Sequence, residues 1–180
     1  MPGCEEKLFC CEDILAALKE VETGPNSEPP WEPGKAGEIG PYQILKGYWI
    51  DAFNLDRRGD FGSDSNPRPP AEPAPGHVPG GFPFGVTEVR YSQLEEEPWA
   101  RGLSIYVICL YMSRYAKAET ARLKACKGTL ADVQKVSRVH NGGPSQRFES
   151  NWISPSNPNL VGIAKKATEY WKKVKKILDC

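Results

Sequence analysis

The chain has 180 residues, with 23 basic side chains against 23 acidic ones and 39% hydrophobic residues. That length suits one domain with a sizeable core, and the balanced charge gives no global pointer to nucleic acid. No apolar run approaches the roughly 18 residues that a membrane span needs, and the longest, residues 105–112, reads as a buried helix.

The six cysteines are scattered, no Cys-x-x-Cys pair occurs and there are only two histidines, so no structural zinc site is expected. Residues 1–7 show no basic region followed by an apolar one, so no secretory signal is legible there.

In chain order, Ile14, Leu15, Leu18 and Val21 predict a helix over Cys11–Glu22, stopped by Gly24 and Pro25. Residues 25–40 are rich in Pro, Gly and Glu and read as a loop or short hairpin. Gly40-Pro41-Tyr42-Gln43-Ile44 reads as a strand running into the aromatic stretch Tyr48-Trp49-Ile50-Asp51-Ala52-Phe53. Residues 56–98 read as an insertion. Its centre, residues 67–83, alternates proline with small residues, and no packed helix or strand is expected there, because proline removes donors and fixes φ.

Residues 99–117 predict a central helix that is apolar on most sides. Leu130, Val133, Val136 and Val139 mark another helix, which ends at His140. A last helix covers residues 160–178, with Leu160, Ile163, Ala164, Ala167, Trp171, Val174 and Leu178 as its stripe. Its other face carries Lys165, Lys166, Lys172, Lys173, Lys175 and Lys176. Two readings of those lysines stay open: a solvated face near a helix C-terminus, or a surface drawn to an anionic polymer.

Glu22 stands in the last turn of its helix, beside the apolar stripe. Desolvation and the negative end of the helix dipole both disfavour a charged carboxyl, and a carboxyl kept neutral can act as a general acid. Glycoside hydrolysis needs two carboxyls. The loop after this helix supplies Glu28, Glu32 and Glu38.

Several segments carry a resemblance. Val21-Glu22-Thr23-Gly24 resembles the Glu-Ser-Gly that ends the first helix of invertebrate-type (destabilase-like) lysozymes. Gly40-Pro41-Tyr42-Gln43-Ile44 and Tyr48-Trp49-Ile50-Asp51 match that family's Gly-Pro-Tyr-Gln-Ile and Tyr-Trp-Ile-Asp. Met112-Ser113-Arg114-Tyr115, Val139-His140-Asn141-Gly142-Gly143-Pro144 and Tyr170-Trp171-Lys172-Lys173-Val174 are similar to later family segments, in the same order. The family is dense in cysteine. Here Ile39 stands where a cysteine is expected, which implies a fold held mainly by its core.

The resemblance implies an α+β, mostly α, lysozyme-like fold over residues 8–178, with a short β-hairpin around residues 30–45 lining a cleft. It implies hydrolysis of the β-1,4 bond between N-acetylmuramic acid and N-acetylglucosamine in peptidoglycan, which requires neither metal nor cofactor, and a secreted location. Glu22 would be the acid. The second carboxylate would be Glu32 by the invertebrate-type arrangement, or Glu38 by the chicken-type one. Glu38 is favoured, because it enters the Gly40 segment at fixed spacing. Tyr42, Gln43, Trp49, His140 and Asn141 would contact substrate, and Trp31 could stack on a sugar ring.

His140 also admits a serine-hydrolase reading with Ser137, Ser145 or Ser150, in line with the isopeptidase activity credited to destabilase-like proteins. Set against this, no Gly-x-Ser-x-Gly elbow occurs, and a His before Asn-Gly-Gly-Pro reads as a helix end entering a turn. A wall-sugar-binding relative without catalysis is the third reading.

Overall fold

The computed structural model describes residues 7–54, 75–78, 86, 88–147 and 158–180. The described residues are mostly helical, with a small two-stranded antiparallel sheet among them. It divides into two compact units: residues 1–26 with 112–180, and residues 27–111. No helix among the described residues is long and apolar enough to cross a membrane.

The first unit contains α1 (Cys11–Thr23), α4 (Lys117–Lys124), α5 (Leu130–Gly142) and α6 (Pro158–Ile177). Helix α6 packs on α1 and α5, and α4 packs on both as well. Helix α1 buries Ile14, Ala17 and Leu18, which recur at helical spacing. Gly24 ends it at φ 92°, and the Gly24 N–H donates to the Glu20 carbonyl at 3.0 Å. Before α1, Phe9 is fully buried and exchanges two backbone hydrogen bonds with Gly128, at 2.9 and 3.2 Å. A disulfide joins Cys10 to Cys126 across a sequence separation of 116, and Cys180 is also disulfide-bonded.

Helix α5 begins with reciprocal capping. The Asp132 N–H donates to Thr129 Oγ1 at 3.3 Å, and the Thr129 N–H donates to Asp132 Oδ2 at 2.8 Å. Arg122 of α4 grips the same carboxylate from Nε and Nη2. Burial pushes the Asp132 carboxyl up, but the Arg122 and Thr129 hydrogen bonds and the guanidinium charge outweigh it and hold it below its ordinary value. A carboxyl lowered on folding stabilises fully above its unfolded pKa, about 4, and the contribution is lost as pH falls through the lower folded value. Asp132→Asn is therefore expected to cost about 1–2 kcal/mol near neutral pH. In urea melts the gap between variant and wild type should narrow as pH falls below the ordinary aspartate value, about 4. A gap independent of pH would remove the carboxylate from the account.

Further along α5, Arg138 is fully enclosed and burial lowers its pKa from the ordinary guanidinium value. It donates to Thr168 Oγ1 at 2.8 Å, Gln146 Oε1 at 3.2 Å and the Ala164 carbonyl at 3.3 Å. One side chain thus ties α5 to α6 and to the 3-10 turn Pro144–Arg147.

The second unit holds α2 (Lys46–Phe53), β1 (Gly76–His77), β2 (Glu88–Val89), the 3-10 turn Tyr91–Leu94 and most of α3 (Trp99–Tyr115). Trp49 is fully buried, with the Phe53 ring at 4.6 Å and the Tyr91 ring edge-on at 5.8 Å. Tyr48 stacks on Tyr111 with centroids 3.7 Å apart. Gly76 lies against Phe53, where an added Cβ would meet the ring at 2.5 Å.

Three expectations change. Residues 30–45 do not form a hairpin of two strands. A single antiparallel bridge pairs Ile39 with Ile44 around the turn Gly40–Gln43, because Pro29, Pro30, Pro33 and Pro41 lack the donors that a ladder needs. The strands lie instead within residues 56–98, and β1 falls inside the proline-rich stretch. The two-residue strand Gly76–His77 asks no proline to donate, and Val78 and Val89 are fully buried. The rest of residues 67–83 lies outside the described residues. Finally, the helix predicted over residues 99–117 ends at Tyr115. Ala116 leaves helical geometry at φ −140°, and α4 starts afresh.

Candidate functional site

Glu22 lies in the last turn of α1, one residue after half-buried Val21 and four after fully buried Leu18. Its side chain is 20% exposed, and Oε1 lies 3.6 Å from Nε2 of His140, whose side chain is 4% exposed. At that separation there is no hydrogen bond, and the pair is a salt bridge only with a protonated imidazole and an ionised carboxyl. His140 sits near the C-terminal end of α5. Gly143, at φ 76°, ends that helix by donating to the Val139 carbonyl at 3.0 Å. The Tyr170 ring of α6 lies 6.0 Å from the imidazole. Three helices thus enclose one carboxyl and one imidazole while the carboxyl keeps an opening to solvent. Asn141, next to His140, is exposed.

In the second unit, the loop bearing Glu32 and Glu38 is closed by its own polar groups. The Gly34 N–H donates to the Glu38 carbonyl at 2.8 Å, and the Ala36 N–H donates to Glu38 Oε2 at 2.9 Å. Gly34 leaves room for the ends of two side chains in this closure. A Cβ there would fall 2.2 Å from Glu38 Oε2 and 2.6 Å from Gln43 Oε1. Gln43 takes φ 49° and donates from Nε2 to the Gly40 carbonyl at 3.1 Å and the Glu32 carbonyl at 3.3 Å. Gly40 takes φ 75° under the Leu94 carbonyl, which a Cβ would meet at 2.4 Å. The Tyr91 hydroxyl donates to the Ile44 carbonyl at 2.5 Å, and burial, then the charges of Glu95 and Glu38, push its pKa up. Glu38 is thus half-buried and fixed, whereas the Glu32 side chain is exposed. Glu28 pairs with Arg101 at 3.5 Å, both side chains being largely exposed, so little energy is at stake.

Burial and loop hydrogen bonds bear on several of the residues expected at the substrate. Trp49 is 0% exposed and Tyr42 is 3% exposed, so neither offers a face to a sugar. Burial pushes the Tyr42 phenol up to about 12, with the Arg101 charge pulling the other way. Gln43 spends its amide N–H groups on the loop backbone. Trp31 is buried at 7% exposure, and its Nε1 has no hydrogen-bond partner among the described residues. Ser137 is fully buried and donates to the Val133 carbonyl at 2.8 Å, which removes it as a nucleophile beside His140. Ser150 lies outside the described residues.

The contact between Glu22 and His140 was not legible in the sequence. The one available signal was that both sit at the C-terminal ends of amphipathic helices. Comparisons with protein-family models, with curated proteins and with solved structures gave no match.

Proposed function

We propose that the protein is a lysozyme-like glycoside hydrolase of the destabilase-like type, acting on the β-1,4 bonds of peptidoglycan with Glu22 as general acid. The observation that carries this reading is the placement of Glu22: a helix-end carboxyl, largely withdrawn from water beside Leu18 and Val21, against the enclosed imidazole of His140. A solvated helix-end glutamate would need no such setting. The ordered motifs shared with the family supply the substrate class.

In the reaction Glu22 donates its proton to the leaving glycosidic oxygen as the C1–O bond breaks. A second carboxylate stabilises or captures the oxocarbenium-like centre, and water completes the hydrolysis. The resemblance assigns that carboxylate to Glu38 or Glu32. Glu38 is the better candidate, because a charge already fixed by the Ala36 N–H needs little reorganisation in the transition state. Glu38→Gln is therefore expected to lower the rate of wall cleavage at least about tenfold more than Glu32→Gln, since precise placement dominates such terms. The opposite ranking transfers the role to Glu32.

The direct test is release of reducing ends from purified peptidoglycan, with loss of turbidity as a second readout. Retention on the wall without cleavage would mark a sugar-binding relative instead. Cleavage of a glutamyl-lysine isopeptide without sugar release would mark an isopeptidase.

A further inference from the structure

Overall neutrality conceals a segregated charge. The unit of residues 1–26 and 112–180 carries 16 basic against 11 acidic residues, and residues 27–111 carry 7 against 12. The excess is concentrated on α6, which bears six lysines, no arginine and a single glutamate.

At about 100° per residue, Lys165, Lys166, Lys172, Lys173 and Lys176 fall within an arc of about 120°, running about 16 Å along the helix. All five are exposed. Lys172 pairs with Glu169 at 2.8 Å, and the other four have no ion pair among the described residues. The hydrogen bond and charge of Lys172, with the charges of Lys165 and Lys173, hold the Glu169 carboxyl below its ordinary value, a sign of the positive field on this face.

We propose that this lysine face of α6 binds a phosphodiester-bearing anionic polymer of the bacterial wall, the choice of polymer resting on the hydrolase reading above. Lysine offers point charges without the planar fork of arginine, so the face recognises charge along a chain rather than a shaped group. Insertion of α6 into a membrane fits poorly, because its apolar side, with Ala164, Ala167 and Val174, is already buried in the protein. Single-stranded nucleic acid fits poorly too. The aromatic residues of the helix, Tyr170 and Trp171, are 6% and 8% exposed and give bases nothing to stack on.

The test is co-sedimentation of the full chain with walls that retain their phosphodiester polymer and with the same walls stripped of it by hydrofluoric acid. Wild type should bind the unstripped walls at least about tenfold more tightly, and lose that advantage as salt rises from about 50 to about 200 mM. The combined variant Lys165→Gln, Lys166→Gln, Lys172→Gln, Lys173→Gln and Lys176→Gln should bind both walls alike. Lys124→Gln with Lys127→Gln, which alters exposed lysines elsewhere, should behave as wild type.

Equal binding of both walls by wild type, or unchanged binding by the five-lysine variant, overturns the proposal. Tighter retention of duplex DNA than of the purified wall polymer overturns it in favour of nucleic acid. Release of reducing ends from stripped walls reports the hydrolase separately. If that release is absent while polymer binding still depends on the lysines, the hydrolase reading falls and the binding face stands.

Discussion

Glu22→Gln is expected to lower wall cleavage by about 10²–10⁴-fold while leaving the fold intact, as general acid catalysis is typically worth that much. The glutamine amide keeps the shape of the side chain and its packing beside Leu18 and Val21, but its N–H protons are far too weakly acidic to be given to a leaving oxygen. His140 would then face an amide at the end of α1 instead of a carboxyl. Helix content by circular dichroism and the melting midpoint should change little, because the side chain is partly exposed and lies 3.6 Å from His140, beyond hydrogen-bond distance. Initial rates of reducing-end release are the measurement. A variant that keeps more than about a tenth of the wild-type rate would take the general acid away from Glu22.

The largest effect on stability is expected from the disulfide. Replacing both Cys10 and Cys126 by serine should cost about 2–5 kcal/mol, because the cross-link closes a long loop in the unfolded chain. The two residues are separated by 116 positions, so the unfolded ensemble that the bond restricts is large. In the folded state the neighbouring backbone is already joined, since Phe9 and Gly128 exchange hydrogen bonds next to the bridge. The native geometry should therefore survive the double substitution, and the loss should fall on the unfolded side. Urea unfolding with a matched m-value is the measurement. A loss below about 1 kcal/mol would mean that the unfolded chain stays compact without the bond. The serine pair isolates this bond better than a reducing agent, which would also open the disulfide at Cys180.

Elements with a strong apolar stripe were readable from the residues alone. Helices α1, α5 and α6 begin and end within a few residues of the expected positions, because Ile14 and Leu18, Val133 and Val136, and Ala167 and Val174 each mark a face to bury. Helix α4 has no such face: Leu123 and Thr120 are its buried residues amid Lys, Glu and Arg, and its helicity rests on context. Helix α2 was hidden for the opposite reason. Tyr48, Trp49, Ile50 and Phe53 favour strands by type, and tertiary packing of Trp49 overrides that preference. The strand pair at residues 76–77 and 88–89 is too short to carry a period.

For the site, the helix-end position of Glu22 followed from its own helix. Its contact with His140 depends on how α1 and α5 pack, which no local pattern encodes. The roles of Tyr42 and Trp49 turn on burial, and an aromatic residue in a motif reads the same whether it faces sugar or core.

The bridge from Cys10 to Cys126 also decides what a protease can do to this molecule. Residues 27–111 lie wholly inside the ring of covalent bonds that it closes. A single backbone cut anywhere in that stretch, including the proline-rich part, opens the ring without releasing a piece. The nicked protein should keep its full mass on a non-reducing gel and separate into two fragments only after a reductant is added. Shedding part of residues 27–111 would take two cuts, so one nick leaves every side chain of the molecule attached to the rest.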